Sequence, residues 1–400
     1  MTDDEDASTP YGRHRQTTVY TTGMLTGNVP DIPVDPDRLA ERAREELDGR
    51  AYDYVAGGAG GESTMRANRR AFEDYRIVPR VMRDTGTRDL STTVLGQELA
   101  VPVLLAPIGA QGIVHEDGDL ASARAAAQWD IPYVCSTQAS EPLEDVAEAL
   151  GDTPKWFQLY ASEDRDLTRS LVERAEDAGY DAIVVTLDTP HLGWRERDLD
   201  RGFLPFLDGD GIANYVSDPV FRDRLDQPPE ENPRAAAQEF VQVFSDATLT
   251  WGDLAWIAEL TDLPVVAKGV LHPDDAREAV AHGAAGVVVS NHGGRQVDNA
   301  VAALDQLPRI VDAVGDDAAV VFDSGIRRGA DAVVALALGA DAVSLGRPWV
   351  YGLGLAGEEG VASVCENFLA DLDLTVALAG YDDVDAFDES ALQRGRGDGS

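Results

Sequence analysis

The sequence of 400 residues predicts an α/β fold in which eight parallel strands close into a (β/α)8 barrel, the TIM barrel. Eight short apolar runs alternate with amphipathic helical stretches over about 250 residues, which is the pattern and the length of this fold. The runs are apolar throughout rather than at alternate positions, as expected for parallel strands that are buried on both faces. A doubly wound open sheet is the alternative, but the glycine fingerprint that usually follows its first strand is missing.

Two segments flank the predicted barrel. Residues 1–26, which begin MTDDEDASTP, are polar and acidic, and we expect them to form a disordered tail. The stretch DPDRLAERAREELDGRAYDYVAGGAG predicts a helical extension before the barrel, because Asp35 or Asp37 can cap its start and glycines follow its end. Residues 27–390 are then expected to form one domain, with a flexible tail at 391–400.

The eight predicted strands each end in glycine or in polar residues. Helical stretches such as EDRDLTRSLVERAEDAG separate most of them and end in a glycine that suits a left-handed helix cap. The carboxyl ends of barrel strands meet at one mouth, where the active site lies, so the polar ends predict a site there. In chain order the runs are VPVLLAPIGA (101–110), PYVCST (132–137), KWFQLY (155–160), DAIVVTLD (181–188), LPVVAKGV (263–270), AGVVVSNHGG (285–294), AAVVFDSG (318–325) and DAVSLGR (341–347).

One connection is much longer than the others. Residues 189–250, after the fourth strand, are rich in Gly, Pro and Asp, and a loop of this length is usually a lid or an insertion. Disordered segments contain few aromatic residues, whereas this one has several, so we expect an ordered lid. The aromatic residues are Trp194, Phe203, Phe206, Tyr215 and Phe221.

The net charge of the chain indicates the environment in which the protein works. It has 72 acidic and 33 basic residues, a net charge of −39, and the acidic residues are spread along the whole chain. At molar salt the screening length falls to roughly 3 Å, which removes most of the resulting self-repulsion. We therefore expect a cytoplasmic protein of a halophile.

Composition also excludes several classes of protein. A strongly acidic surface does not bind nucleic acid or an anionic membrane, and no run of about 18 apolar residues is present to span a bilayer. The N-terminus lacks the apolar core of a signal peptide. Cys135 and Cys365 are too few for a disulfide framework, and no metal-ligand spacing is present.

The ends of strands seven and eight, FDSGIRRGAD and SLGRPW, predict a phosphate site. In such barrels the loops after these strands often bind phosphate through backbone N–H groups at a helix N-terminus. Gly325 and Gly346 allow close approach of the backbone, and Arg327 or Arg347 can neutralise the charge. Arg347 is the better candidate, because Arg327 and Arg328 begin a helix and can face solvent.

The end of strand six, SNHGGRQVD, carries the residues of a reaction centre. A histidine base beside an arginine that can grip a carboxylate suggests a small anionic substrate, which assigns His292 and Arg295. Asp188, at the end of strand four, can hold the imidazole and stabilise its protonated form. Lys268 has two possible roles: a Schiff base in a lyase of the aldolase class, or a fixed positive charge beside a cofactor.

These motifs resemble a known family. FQLY, TLDTP, KGV, SNHGGRQ, FDSGIRRG and LGRP follow one another as in the FMN-dependent α-hydroxy-acid oxidases, and the similarity extends over residues 52–380. The segments YVAGGAG, GWRERDLD, ANYVSDPVF and HPDDAR are most similar to the lactate 2-monooxygenase branch, including its long lid.

The resemblance implies FMN as the cofactor and gives roles to single residues. His292 is the base, oriented by Asp188 and assisted by Tyr160, and Lys268 lies near the N1 and C2=O groups of the flavin. The substrate is held by Tyr54, Tyr160, Arg195 and Arg295. The flavin and its phosphate are lined by Pro107, Gly109, Ser136, Gln158, Thr186, Lys268, Asp323, Gly325, Arg327, Gly346 and Arg347.

The implied reaction oxidises a small L-2-hydroxy acid, best represented by L-lactate, to a 2-oxo acid with dioxygen as acceptor. An oxidase releases pyruvate and hydrogen peroxide, whereas a monooxygenase yields acetate, CO2 and water; hydride and carbanion routes both remain open. The alternatives are an FMN barrel with another electron acceptor and a flavin-free aldolase that uses Lys268. The resemblance also implies a homotetramer. Two positions depart from the family pattern: Gln138, where glycolate oxidase has an aromatic residue, and His191, where the monooxygenase pattern is apolar. Both are candidates for a changed side-chain pocket and thus for a substrate other than lactate, and His191 can equally be a surface residue of the lid.

Overall fold

Eight parallel strands form a closed barrel in the computed structural model, which describes residues 11–395. The eight predicted runs supply β4 to β11, and hydrogen bonding between β11 and β4 closes the barrel, which excludes the open sheet. The strands are β1 (Tyr75–Ile77), β2 (Thr92–Val94), β3 (Gln97–Leu99), β4 (Val103–Leu105), β5 (Tyr133–Ser136), β6 (Lys155–Leu159), β7 (Ala182–Thr186), β8 (Val265–Val270), β9 (Ala284–Val289), β10 (Ala319–Phe322), β11 (Ala342–Leu345) and β12 (Leu392–Arg394).

Helices surround the barrel and precede it. The predicted N-terminal extension consists of α2 and α3, and Asp35 caps α2 by accepting a hydrogen bond from the backbone N–H of Asp37. The helices are α1 (Tyr11–Thr26), α2 (Pro36–Glu46), α3 (Gly49–Ala56), α4 (Ser63–Glu73), α5 (Gly118–Gln128), α6 (Leu143–Leu150), α7 (Arg165–Asp177), α8 (Glu196–Arg201), α9 (Ala213–Val216), α10 (Pro219–Asp223), α11 (Pro233–Val243), α12 (Trp251–Ala258), α13 (Pro273–Ala281), α14 (Ala303–Val314), α15 (Gly329–Ala337) and α16 (Arg347–Ala379, kinked at Ala356 and Gly357). None of these helices of residues 11–395 is both long enough and apolar enough to cross a membrane.

Side-chain alternation along the strands explains why the runs are apolar throughout and why they end in polar residues. On β7, Ile183 and Val185 pack among the surrounding helices, whereas Ala182 and Val184 belong to a separate apolar cluster inside the barrel. The next inward position on four neighbouring strands is polar. The lower layer of this interior comprises Val134, Trp156, Val184 and Val266. The upper layer, two residues further along the same strands, comprises Ser136, Gln158, Thr186 and Lys268.

The prediction of a disordered tail is wrong for residues 11–26, which form α1. The backbone N–H of Gly12 donates to Asp373 Oδ2 (2.8 Å), and Arg15 forms an ion pair with Glu366 (2.7 Å), so the helix is attached to α16. These partners lie more than 350 residues away in the sequence, which is why a local pattern did not indicate them. Residues 1–10 lie outside the described part of the chain.

The prediction of a flexible tail at 391–400 is wrong for its first half. Residues 392–394 form β12, which pairs antiparallel with β1, and the Arg394 side chain donates to the hydroxyl of Tyr75 (3.0 Å). A strand of three residues has no periodicity of its own, and its partner lies in a distant segment. Residues 396–400 lie outside the described part.

The long connection between β7 and α12 folds into short helices, α8 to α11. Phe206, Tyr215, Phe221 and Phe240 are buried in it and form one aromatic cluster, with ring centroids 4.7–5.8 Å apart. Aromatic burial of this kind supplies a small core for the connection, and Ile212, Ala236, Ala237 and Val243 of the same segment are buried as well. Trp194 differs, since its side chain is exposed.

Candidate active site

A cavity at the carboxyl ends of the barrel strands contains most of the predicted site residues. Its empty volume is about 1030 Å³. Asp188, Gln158 and Thr186 do not line it but lie behind residues that do, as their hydrogen bonds show. The predicted residues in the lining are Tyr54, Pro107, Gly109, Ser136, Tyr160, Arg195, Lys268, His292, Arg295, Asp323, Gly325, Arg327, Gly346 and Arg347.

His292 and Asp188 form a hydrogen-bonded pair at the mouth. Nδ1 of His292 lies 2.9 Å from Oδ1 of Asp188, which also accepts a hydrogen bond from the hydroxyl of Thr189 (3.1 Å). The His292 backbone is left-handed (φ 57°), and its N–H donates to Ser290 Oγ (3.0 Å), so the loop holds the ring at the cavity. With Nδ1 occupied by Asp188, Nε2 is the ring atom left for a ligand.

The charge states of this pair suit a general base. Burial lowers the pKa of His292 below 6.5, and Asp188 opposes the shift only in part. Burial would raise the pKa of Asp188, but His292 and Lys268 together lower it below its usual range. A neutral imidazole beside an ionised carboxylate can accept a proton and keep it as a stabilised imidazolium.

The upper layer of the barrel interior is joined by hydrogen bonds. The hydroxyl of Ser136 donates to Gln158 Oε1 (3.1 Å), and Gln158 Nε2 donates to Thr186 Oγ1 (3.0 Å). Lys268 Nζ lies 3.3 Å from Asp323 Oδ2 and 3.3 Å from Ser290 Oγ. These contacts fix a row of polar groups across β5 to β8.

Lys268 is held in its charged form. Burial would lower the pKa of its amine, but Asp323 and then Asp188 raise the pKa above its usual value. A Schiff-base lysine must be unprotonated to attack a carbonyl, and such lysines have lowered pKa values. The electrostatics therefore favour the second role of Lys268, a fixed positive charge beside a bound cofactor.

Arg295 and Arg347 both donate to the carboxyl-terminal end of α3. Arg295 Nη1 donates to the carbonyls of Tyr54 (2.6 Å) and Gly57 (2.9 Å), and Arg347 donates to those of Val55 (3.0 Å) and Gly57 (2.9 Å). The last carbonyls of a helix have no partner within the helix and carry partial negative charge, so arginines suit them. The N-terminal extension thus positions two cations at the mouth.

These guanidinium groups lack acidic partners. Within residues 11–395, no carboxylate lies within 4.0 Å of Arg295, Arg327 or Arg347, and Arg195 reaches Asp198 only at 4.0 Å. Burial, together with repulsion from neighbouring arginines, lowers the pKa of Arg295 to about 9 and that of Arg327 to about 10. Half-buried cations without acidic partners favour anions, so the cavity suits negatively charged ligands.

The residues present fit a flavin phosphate. Helix α16 begins at Arg347, and Gly346 precedes it with no other atom within 4 Å of the position that a Cβ would occupy. Gly325 has a φ of 112°, which only glycine adopts without strain. Open space at a helix N-terminus, flanked by Arg327 and Arg347, matches the requirements of a phosphate.

Several lining residues were missed by sequence reasoning. Ser324 connects two loops, because its hydroxyl accepts from the N–H groups of Asn291 (3.2 Å) and Gly293 (3.1 Å) and donates to Asp323 (2.6 Å). His191, one of the two departures from the family pattern, is exposed and does not line the cavity. Gln138, the other departure, does line the cavity. The residues not predicted for the lining are Val55, Ala106, Ile108, Thr189, Leu192, Phe206, Gly293, Ser324, Ile326 and Ser344.

The fold and the site define a class: a (β/α)8 barrel whose mouth combines a hydrogen-bonded His292–Asp188 pair with arginines that suit anionic ligands. Comparison with known proteins identifies the family. Residues 43–394 match the FMN-dependent dehydrogenase family, and the chain belongs to it. The protein is accordingly an FMN-dependent α-hydroxy-acid oxidoreductase.

Individual relatives are similar over nearly their whole length. An FMN-dependent alpha-hydroxy acid dehydrogenase of Penicillium citrinum is 45% identical over 382 residues, covering 95% of each chain. An L-lactate oxidase of Lysinibacillus sphaericus is 43% identical over 373 residues, covering 93% of this chain and 96% of the relative. Among solved structures, a chimera of (S)-mandelate dehydrogenase superposes with a TM-score of 0.82 at 37% identity, covering 90% of this chain and 99% of the other.

Proposed function

We propose that the protein oxidises small L-2-hydroxy acids, with L-lactate as the reference substrate, and uses dioxygen as the final electron acceptor. The observation that carries the proposal is the His292–Asp188 pair, which shares one cavity with arginines that have no carboxylate partner. The L-lactate oxidases among the relatives support dioxygen as the acceptor.

His292 acts as the base in this proposal. Its Nε2 takes the proton of the substrate hydroxyl, and Asp188 stabilises the imidazolium that forms. Burial, followed by the charge of Asp188, raises the pKa of Tyr160 to about 12, so its hydroxyl stays protonated and donates to the substrate. Bound FMN supplies the acceptor for the two electrons that leave C2.

Two arginines bind the carboxylate of the substrate. Arg195 is buried and Arg295 half-buried; both line the same cavity, and Arg295 lies over the ring of Tyr54, 5.1 Å from its centroid. A guanidinium can hold a carboxylate through two parallel hydrogen bonds, which fixes the orientation of C2 toward the base. Tyr54 and Tyr160 provide the other proposed contacts to the substrate.

The remaining predicted residues would hold FMN. Lys268 places positive charge beside the isoalloxazine ring, where it stabilises the negative charge of the reduced form. Arg327 and Arg347 neutralise the phosphate. The other groups assigned to the cofactor are Pro107, Gly109, Ser136, Gln158, Thr186, Asp323, Gly325 and Gly346.

One experiment tests the proposal. The purified protein, kept in high salt and loaded with FMN, is given L-lactate while oxygen, peroxide, pyruvate and acetate are measured. Oxygen consumption with pyruvate and peroxide identifies an oxidase; acetate and CO2 identify a monooxygenase, which needs pyruvate to be retained beneath the connection between β7 and α12. Flavin reduction without oxygen uptake would replace dioxygen with another acceptor, and absence of flavin binding would overturn the proposal.

We also propose a cytoplasmic halophilic protein that assembles as a homotetramer. The net charge of −39 supports adaptation to strong salt, and the tetramer is what the family resemblance implies. Unfolding on dialysis into dilute buffer is the expected result, with light scattering in high salt giving four chains per particle. Full stability in dilute buffer would contradict the halophilic part.

A further inference from the structure

Gln138 differs from the other buried glutamines of the barrel mouth. The side chains of Gln111 and Gln158 are hydrogen bonded at both their oxygen and their nitrogen, by Ser122 and Tyr133 for the first and by Ser136 and Thr186 for the second. Gln138 is only 7% exposed and lines the cavity, and its side-chain amide makes no hydrogen bond to another group of residues 11–395 while its atoms stay accessible from the cavity.

The backbone around Gln138 is held on both sides, so its side chain starts from a fixed position. Its N–H donates to Ser136 Oγ (3.0 Å), and its carbonyl accepts from the N–H of Ala110 (2.8 Å). A Cβ added to Gly109 would lie 2.7 Å from the Cβ of Gln138, and one added to Gly211 would lie 3.0 Å from its carbonyl oxygen. Such close packing leaves the amide as the part of the residue that can move into the cavity.

An apolar side chain lies beside Gln138. A Cβ added to Gly211 would lie 3.0 Å both from the Gln138 carbonyl oxygen and from Cε1 of Phe206, whose ring lines the same cavity and cannot hydrogen bond with the amide. The ligand groups already assigned are the carboxylate, the 2-hydroxyl and the flavin, which engage the arginines, the tyrosines, His292 and the barrel loops. What remains unassigned is the substituent that the substrate carries on C3.

We infer that Gln138 recognises a hydrogen-bonding group on C3 of the substrate. The preferred substrates are then L-2-hydroxy acids with a hydroxyl or a similar polar group at C3, rather than acids whose side chain is purely apolar. This inference rests on the proposed oxidation of 2-hydroxy acids and specifies its substrate class. The physical reason is that an apolar substituent would bury the amide without a partner, and sites built around such a group discriminate against ligands that lack it.

A pair of nearly isosteric acids tests the inference. L-Glycerate carries CH2–OH on C2, whereas L-2-hydroxybutanoate carries CH2–CH3, so the two differ only in their ability to hydrogen bond. The FMN-loaded enzyme in high salt is expected to show a kcat/KM for glycerate at least about tenfold higher. In Gln138→Met, which keeps the length of the side chain but removes the amide, the ratio should fall to about one or below.

Two further variants serve as a second replacement and as a control. Gln138→Leu is a second apolar replacement, to be used if the methionine variant fails to retain flavin. Leu192→Ala is the matched control, because it enlarges the same cavity without removing a polar group. It should leave the ratio near that of the unmodified enzyme. Titration of flavin absorbance with the corresponding 2-oxo acids gives the same comparison as dissociation constants, independently of turnover.

The outcomes separate the inference from the proposed function. A preference for 2-hydroxybutanoate in the unmodified enzyme, or a ratio that is unchanged in Gln138→Met and Gln138→Leu, overturns the inference while oxidation itself stands. A flavin-loaded enzyme that oxidises lactate, glycerate and 2-hydroxybutanoate at no measurable rate overturns the proposed function instead. A high ratio that falls in both Gln138 variants and persists in Leu192→Ala supports both.

Discussion

The lower and upper layers of the barrel interior are equally buried but chemically opposite. Residue exposure is 1–3% in the lower layer and 2–4% in the upper one, and only two residues along the same strands separate them. The lower layer is apolar, whereas the upper layer consists of two hydroxyls, an amide and an ammonium. Because buried polar groups need hydrogen-bond partners that apolar side chains at the same positions would not need, burial alone does not explain the upper layer. We propose that the lower layer maintains the fold and that the upper layer serves a ligand.

The largest expected effect tests the functional side of this comparison. His292→Ala removes the proposed base above the upper layer, and kcat should fall by roughly 10²- to 10⁴-fold because general-base catalysis typically contributes that much. Flavin content and thermal unfolding should change little, since among residues 11–395 the side chain is bonded only to Asp188 and Thr189. The measurement is turnover of L-lactate at saturating oxygen.

An exposed histidine provides the control for this variant. His191→Ala, in the same part of the mouth but outside the cavity, should keep the full rate. Equal rates for His292→Ala and the unmodified enzyme would reject His292 as the base.

The next effect tests the structural side. Trp156→Ala empties a large space in the lower layer and should reduce the free energy of unfolding by about 3–5 kcal/mol. Trp156→Phe should reduce the free energy of unfolding much less. The phenyl ring fills most of the space, and no hydrogen bond is lost, because the indole Nε1 is buried without a hydrogen-bond partner within residues 11–395. Denaturant unfolding in high salt measures both. If Trp156→Ala left the free energy of unfolding unchanged but abolished flavin binding, the lower layer would serve the ligand, and the assignment of the two layers would be wrong.

A third test separates the two anion sites above the layers. Arg295→Met should weaken substrate binding by about 2–5 kcal/mol, because the carboxylate of the acid loses a buried charged partner. Arg347→Met should instead raise the dissociation constant of FMN and leave the KM of the reloaded enzyme closer to normal. Flavin fluorescence and steady-state kinetics give the two quantities. If both variants affect the same ligand, the assignment of one arginine to each anion is wrong.

The sequence predicted the strands of the barrel because their apolar runs are local and repeated. It also predicted the His292–Asp188 pair, since the carboxyl ends of parallel strands meet whatever their separation along the chain. It did not predict α1 or β12, whose partners lie in distant segments and whose own patterns are weak. Nor did it indicate that Gln138 has an unbonded amide while Gln158 does not, because that difference depends on which neighbours the packed structure supplies.

The smallest expected effect concerns pH. Burial lowers the pKa of His292 below 6.5, so the imidazole is neutral at neutral pH and becomes protonated only in acid. A protonated imidazole cannot accept the hydroxyl proton, so kcat/KM should decline as the pH falls through a midpoint below the 6.5 of an ordinary imidazole. The carboxyl group of a free 2-hydroxy acid titrates near pH 4, as other carboxyls do. A decline of kcat/KM between about pH 4 and 6.5 is therefore due to a group of the enzyme and not to the substrate.

Removal of the neighbouring charge fixes the sign of this effect. Asp188 raises the pKa of His292 against the larger effect of burial. Asp188→Asn should therefore move the acid midpoint to still lower pH, in addition to slowing turnover through loss of the stabilised imidazolium. A midpoint at or above pH 6.5 in the unmodified enzyme, or a shift to higher pH in Asp188→Asn, would mean that another group controls the acid limb. The pH midpoint would then belong to that other group. The proton acceptor would have to be sought in the upper layer instead of at His292.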